Sequence, residues 1–358
     1  MNMRKLIILM IFVAVSATAW AQQECAFVLE ESQELFDAGL IETIPGKLSG
    51  CLEKGFTREE KLQAYKLVIL SYLFDDDIER ADAYMARFLD DFPAYEPVAT
   101  DPNEFVLLLE TYDREPLMTY GGGLGSNLSF AYPVQVIGTH NTSLSSGSYV
   151  PGRAGFHIGA HLTRKINSTF RLKAELNYSN TGFSHQLGTE EPGEVMTGEI
   201  TDYSKISYHE NQNWIRLPLG VMYGTFTSNF NVYVSAGCIP GLLLGANSEA
   251  QRDYQYTGDI RYDPISVSNV GISALRRRLN LWAFAGGGIQ YDFGTGIAFL
   301  GVRYHLNLFS QSPPGVNYFK NQELLWEVYY VPDNIFLHQV SATAGFMFPI
   351  YRPKKRTE

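Results

Sequence analysis

Charge is scarce in this chain. Asp, Glu, Lys and Arg together make up 18% of the 358 residues, less than helix-rich soluble domains usually carry. Long apolar runs are scarcer still. One run stands at the start, MNMRKLIILMIFVAVSATAW, where Arg4 and Lys5 precede an apolar stretch from Leu6 to Val15 and small residues lead to Ala19-Trp20-Ala21. A basic start, a short apolar centre and an A-x-A ending are the marks of a secretory signal peptide, expected over residues 1–21. A retained membrane helix would need about twenty apolar residues, and Gln22-Gln23-Glu24 follows at once. The same residues lack the small-residue pattern expected before a lipidated cysteine at Cys25. With no second run of that length, any membrane crossing in the mature chain has to be built from strands.

An excess of positive charge is also missing. The net charge is -10 and the pI about 5.3, which argues against nucleic acid as a partner, because a phosphate-binding surface needs clustered Lys and Arg. The basic tail Arg352, Lys354, Lys355, Arg356 (residues 352–358) is too short to alter this and is expected to be a solvated end. There is no zinc-ligand spacing, no G-x-S-x-G and no phosphate-cradling glycine loop. Gly121 to Gly125 and Gly286 to Gly288 lie inside strand patterns, where glycine marks close approach or bending. No catalytic residue, metal or cofactor is expected.

Cysteines number three. Cys25 and Cys51 fall in the exported N-terminal part, where oxidation is permitted. If the first two helices form an antiparallel hairpin, both lie near its open end, within disulfide reach. Cys238 is left over and reads as a small buried or lipid-facing hydrophobe.

What is present divides into two patterns. Over residues 22–112 apolar residues recur at three- and four-residue spacing in ECAFVLEESQELFDAG, IPGKLSGCLEKG, TREEKLQAYKLVILSYLF and DDIERADAYMARFLDDF, with Gly39, Gly55 and Pro93 as punctuation. Thr57 followed by Glu60 is a capping box that starts the third helix. Across the third and fourth helices, Tyr65, Val68, Tyr72, Ala81, Phe88 and Pro93 stand as in a tetratricopeptide repeat. The segment resembles one such repeat, departing at Ile69 where the family prefers a small residue. The resemblance implies a stack of helical hairpins and a partner face of Gln63, Lys66, Leu70 and Leu73.

From about residue 117 the period changes to two. Phe170, Leu172, Ala174, Leu176 and Tyr178 alternate with Arg171, Lys173, Glu175 and Asn177, and seven other runs behave alike, starting near Met118, Phe156, Trp214, Phe230, Leu279, Ile297 and His338. The 44 residues of Tyr and Phe suit the aromatic girdles of a membrane barrel. Connections alternate between short turns, at 166–168, 224–229 and 292–296, and long polar loops, at about 131–153, 186–213, 245–277 and 310–336. That alternation belongs to outer-membrane barrels, with short turns periplasmic and long loops external. The expected fold is therefore mainly β: an eight-stranded antiparallel transmembrane β-barrel over 117–351, preceded by an all-α helical-hairpin domain, with both termini periplasmic.

The glycine-rich opening Tyr120-Gly121-Gly122-Gly123-Leu124-Gly125-Ser126-Asn127-Leu128 and the strand Trp214-Ile215-Arg216-Leu217-Pro218-Leu219-Gly220-Val221 resemble the PorT-like small outer-membrane barrels of Bacteroidota-type bacteria. The last strand, from Val340 to Ile350, ends in aromatics like the signal read by barrel-assembly machinery. The resemblance implies a fold and a location in the cell outer membrane, among its lipid.

A barrel of this size is filled by its own side chains. Arg171, Lys173, Glu175, Arg216, Asp292, Arg303 and His305 are expected to point into the lumen and neutralise one another, because an unpaired buried charge costs several kcal/mol. The function expected is non-enzymatic: the barrel anchors a periplasmic repeat-like domain that docks onto a protein partner in a larger envelope assembly for secretion, barrel assembly or uptake. One alternative is a lipid-modifying barrel enzyme, which needs a Ser or Asp beside a His on the outer wall; His185, His209, His305 and His338 are present, but no spacing singles out a pair. The other is a surface receptor using the aromatic loop residues Tyr254, Tyr256, Tyr262, Tyr318, Phe319, Trp326, Tyr329 and Tyr330.

Overall fold

The structure is a computed structural model and describes residues 24–356 apart from 138–144, 152–153, 193–200, 227 and 256–262. The expected signal peptide and the loop residues Tyr256 and Tyr262 lie outside the described residues. The chain divides into two compact units, one of residues up to 115 together with those from 351 onward, the other Pro116–Ile350.

The first unit is helical. Residues 24–37 form α1, followed by α2 (Ile44–Glu53), α3 (Arg58–Phe74), α4 (Ile78–Asp91) and α5 (Asn103–Glu110). The capping box at the start of α3 is formed: the Glu60 amide donates to Thr57 Oγ1 at 3.3 Å and the Thr57 amide to Glu60 Oε2 at 2.8 Å, so two orphan donors are satisfied reciprocally. α3 is the central helix, with Ala64, Tyr65 and Leu67 to Ser71 all buried. α4 turns one face inward through Ala81, Met85, Phe88 and Leu89. Phe88 is the hub, with ring centroids 5.9 Å from Tyr65, 5.4 Å from Phe92, 5.2 Å from Tyr95 and 5.5 Å from Phe105. Cys25 and Cys51 form a disulfide with Cα atoms 5.7 Å apart.

The basic side chains Arg352, Lys354, Lys355 and Arg356 are exposed, as expected of a solvated end, but the backbone of the tail is paired. Strand β1 (Tyr112–Asp113) pairs antiparallel with Lys354–Lys355, the Arg356 amide donates to the Thr111 carbonyl at 2.8 Å, and Lys355 ion-pairs with Asp82. A two-residue ladder carries no apolar alternation, so composition alone did not mark it. The final residues belong with the helical unit.

In the second unit a sheet closes on itself. Its staves are β2 (Met118–Gln135), β4 (Gly155–Lys165), β5 (Phe170–Pro192), β6 (Thr201–Arg216) continued by β7 (Leu219–Gly224), β8 (Phe230–Gln255), β10 (Leu279–Asp292), β11 (Ile297–Asn307) and β12 (Asn334–Ile350), every neighbour antiparallel. β12 returns to β2, with Met118 opposite Ile350, to complete a ring of eight staves. Leu217-Pro218 interrupts the sixth-to-seventh element, yet the ladder continues: the Glu175 amide donates to the Pro218 carbonyl at 2.9 Å. Two short strands, β3 (Ser145–Pro151) on β5 and β9 (Ile265–Gly271) on β8, extend the wall at the end bearing the long connections.

The wall is inverted relative to a soluble protein. Leu172, Leu176, Val221, Val232, Leu300 and Val302 point outward and are exposed, whereas Arg171, Lys173, Glu175, Asn177, Arg303 and His305 point inward and are buried. Among the described residues no helix is long and apolar enough to cross a membrane. Aromatics pair on the outer surface near both ends, Phe170 with Tyr223 and Tyr120 with Phe348 toward the short turns, Phe156 with Tyr178 on the other side. Cys238 faces outward.

Strand glycines make room for lumen side chains. A Cβ on Gly345 would sit 2.6 Å from the ring of Phe299, its partner on the neighbouring strand, and one on Gly288 2.7 Å from the hydroxyl of Tyr233, likewise its cross-strand partner; both aromatics occupy the space that these positions leave free.

The long connections are shorter than expected. β5, β6 and β8 continue far past the outward aromatic Tyr178, so much of 186–213 and 245–277 is strand. The outward face turns polar there, with Ser184, Gln186, Ser207 and His209, while Phe183, Leu187, Ile206 and Tyr208 stay inward and buried; a strand without an apolar outer face reads like a loop.

Candidate functional site

Inward-facing side chains fill the barrel in two layers. In the half nearer the short turns, the Glu175 carboxylate gathers its neighbours: Lys173 Nζ lies 2.9 Å from it, Arg303 donates from NH1 at 2.9 Å and again from NH2, and His161 Nδ1 lies 3.5 Å away. β5 supplies Arg171, Lys173 and Glu175 from successive inward positions; β11 brings Arg303 and His305 across from them. Arg171 lies with its guanidinium carbon 4.0 Å from the Phe226 ring centroid. His305 Nε2 bonds Ser341 Oγ at 2.9 Å, and His157 Nε2 bonds Thr343 Oγ1 at 2.8 Å. Arg216 NH1 donates to Gln339 Oε1, and its guanidinium covers the Trp282 ring, 4.6 Å from the centroid.

Asp292 does not join this network. It keeps the inward parity of β10 but stands at the strand end, where its carboxylate accepts the Gly294 amide at 2.7 Å and closes the turn. Mutual neutralisation is therefore incomplete. Of the acidic residues expected in the lumen, Glu175 alone is there, facing several cations.

In the half nearer the long connections the lumen is apolar and closed by the chain itself. The segment after β11 folds inward through a short helix α6 (Gln322–Trp326), burying Leu324, Val328 and Tyr330 against Phe183, Tyr208, Leu243, Val267 and Leu275. Tyr208 and Tyr330 stack at 4.3 Å, and Tyr149 and His185 at 4.0 Å. A buried polar cluster fixes this plug. Arg276 donates to Glu210 from Nε at 2.7 Å and from NH2 at 2.6 Å, while the Tyr208 hydroxyl and Gln212 Nε2 each donate to the same carboxylate at 2.7 Å. Asp333 accepts from the Tyr149 hydroxyl at 2.6 Å and the Ile137 amide at 2.8 Å. Of the loop aromatics, Tyr330 is thus core, while Phe319, Trp326 and Tyr329 remain exposed.

Sequence reasoning missed Glu210 and Arg276. Counting back in twos from the inward Trp214 and Arg216 reaches Glu210, so parity was a usable signal. Nothing local separates Arg276 from Arg277 and Arg278.

On the helical unit the expected partner face is largely occupied by the chain itself. Leu70 is buried, and Lys66 ion-pairs with Asp101 and lies 4.9 Å from the Tyr95 ring centroid. The chain after α4 doubles back over that face with Tyr95, Asp101 and Phe105. Burial pulls the Lys66 ammonium down, but Asp101 and Tyr95 hold it above its ordinary value; burial pushes the Asp101 carboxyl up, and the Lys66 and Tyr95 hydrogen bonds hold it below. Gln63 stays exposed and Leu73 half-buried. A different cleft, of about 250 Å³, opens between α2, α3 and α4 and is lined by Leu52, Glu53, Lys61, Tyr65, Tyr84 and Arg87 among others. Among the described residues no group of side chains could hold a metal ion.

On the outer side of β5 and β6, Ser184 Oγ and His209 Nδ1 lie 2.7 Å apart. Glu249 on β8 stands opposite His209 in the same cross-strand row.

Residues 117–311 match the model of a family described as outer membrane protein beta-barrel domain. No curated protein matches the chain. Among solved structures, the chain is similar to the outer membrane protein OprG from Pseudomonas aeruginosa at 12% identity, over 66% of this chain and 96% of that one, with a TM-score of 0.28. It is similar to the attachment invasion locus protein Ail of Yersinia pestis at 11% identity, over 65% and 99%, with a TM-score of 0.23. It is also similar to the outer membrane protease OmpT from Escherichia coli at 8% identity, over 65% and 96%, with a TM-score of 0.25.

Proposed function

Because the chain belongs to the outer membrane protein beta-barrel family, we propose that its barrel is an anchor in the outer membrane and that its helical unit is the working part, docking in the periplasm onto another protein of an envelope assembly. The observation that carries this reading is the filled lumen. Charged side chains occupy one half, and the plug of Leu324, Val328 and Tyr330 the other. A barrel filled in this way transports nothing by itself, so activity falls to surfaces. In this reading both termini are periplasmic, the helical hairpins are tetratricopeptide-like, the barrel is of the PorT-like kind, and the chain is not an enzyme.

The docking surface we assign is the cleft between α2, α3 and α4. Tyr84 and Arg87 stand on its rim, with the Arg87 guanidinium carbon 5.3 Å from the Tyr84 ring centroid. A half-exposed Tyr beside an Arg fork suits an extended segment bearing an acidic side chain. The test is native purification in mild detergent from the host, comparing the intact chain with a variant lacking residues 25–112. A stoichiometric partner that vanishes with the helical unit supports docking; a barrel that emerges alone in both cases refutes it.

A second reading is favoured by Ser184 and His209. A serine within hydrogen-bond reach of a base is the pair a hydrolase needs, and Glu249 in the same row could orient the imidazole. Against it, the backbone amides beside Ser184 are committed to the ladder with β3 and β6, so none is free to hold an oxyanion. Labelling of the intact protein with a fluorophosphonate decides: modification of Ser184 supports the enzyme, and an unmodified serine sinks it.

A further inference from the structure

The layer around Glu175 contains four fixed cations, Arg171, Lys173, Arg216 and Arg303, and all of them are buried. Lys173 and Arg303 both engage the Glu175 carboxylate. Arg216 does not: its partners among the described residues are the neutral Gln339 side chain and the faces of Trp282 and Trp214.

Four buried polar atoms of residues lining this space have no hydrogen-bond partner among the described residues, Arg216 Nε, Gln339 Nε2, His305 Nδ1 and the acceptor Asn177 Oδ1. The first two are donors. His305 Nδ1 is a third when Ser341 donates to Nε2. Their side chains are more than nine-tenths buried and line one cavity together with His157, Ser341 and Thr343, and with Glu175 and Arg303, whose charges are paired with each other. The cavity measures about 20 Å³, room for roughly one water-sized guest.

A water would satisfy donors but leave the surplus positive charge uncompensated, and a buried unpaired charge is strongly destabilising. A sulfate or phosphate is too large for the space. We propose that this cavity is a binding site for a small monovalent inorganic anion of the halide class, held by Arg216, Gln339 and His305 as the counter-ion of Arg216.

The test uses the full-length protein, crystallised with sodium bromide and measured at the bromine absorption edge. The site predicts an anomalous peak in the lumen beside Arg216, and an unfolding midpoint in detergent that rises when chloride replaces sulfate at matched ionic strength. Gln339→Glu installs a carboxylate beside Arg216 as a built-in counter-ion; it should lose the bromide peak and the chloride dependence together. Density without anomalous signal at saturating bromide overturns the proposal, as does a peak of full occupancy that survives Gln339→Glu. If the variant does not fold, presence or absence of the peak in the unaltered protein still decides.

Discussion

Arg276 meets Glu210 with both arms of its guanidinium, at 2.7 and 2.6 Å, and both side chains are almost wholly buried. The same arginine donates from NH1 to Ser312 Oγ and to the Asp333 carbonyl, each at 3.2 Å. One ion pair thus joins β6, the segment before β10 and the plug. Glu210→Ala would leave a buried guanidinium unpaired, a loss of about 3–5 kcal/mol. The plug should loosen, read as faster amide exchange over residues 322–331 while the ladder of β2 and β12 keeps its protection.

Phe88 touches four aromatic rings, one of them on α5. Phe88→Ala should destabilise the helical unit by about 3–5 kcal/mol through the lost burial and the cavity left behind. Gln63→Ala, at an exposed position of the neighbouring helix, should cost less than about 0.5 kcal/mol. Thermal unfolding followed at 222 nm, where helix dominates the signal, separates the two.

The helical unit should be acid-sensitive. Burial pushes the Asp91 and Asp101 carboxyls up, but Lys61 and Tyr65 around the first, and Lys66, Tyr95 and the Val98 amide around the second, hold both below the ordinary range. A depressed folded-state carboxyl stabilises fully above its unfolded value near pH 4. That contribution disappears as pH falls through the folded value. Asp101→Asn should flatten the acid limb of the helical transition, and an unchanged limb would contradict the role given to this carboxylate. Lys66, held above its ordinary value, adds the opposite limb, lost only as pH rises past that raised value.

The Cys25–Cys51 disulfide spans 26 residues of sequence, and closing a loop of that length is worth about 3.5 kcal/mol in the chain-entropy account. Reduction should lower the helical transition by that amount and leave the barrel transition where it was. Equal shifts in both would show that the two units do not unfold separately.

Much of the barrel was legible because lipid on one side and a packed lumen on the other enforce a strict period of two. Arg171, Lys173 and Glu175 announced an inward face in the sequence, and Trp214 and Arg216 continued it. The misses share a cause, which is that non-local partners decide them. Asp292 keeps inward parity, yet the turn at Gly294 claims its carboxylate. Lys354 and Lys355 are solvated as they look, but their backbone pairing with Tyr112 and Asp113 has no local mark. Leu70 reads as a partner contact only if Phe105 and Tyr95 are not already there. The plug was hidden most completely, since Leu324, Val328 and Tyr330 follow no period and sit among Asn, Gln and Glu, like a loop.

The claim that the helical unit, and not the lumen, carries the activity is tested most directly by a photo-crosslinking residue placed at Tyr84 in the protein expressed in its own host. A single discrete adduct with another envelope protein is predicted, weakened by Arg87→Glu and absent when the probe stands at Gln63. No adduct at Tyr84, or the same adducts at both positions, would contradict the account.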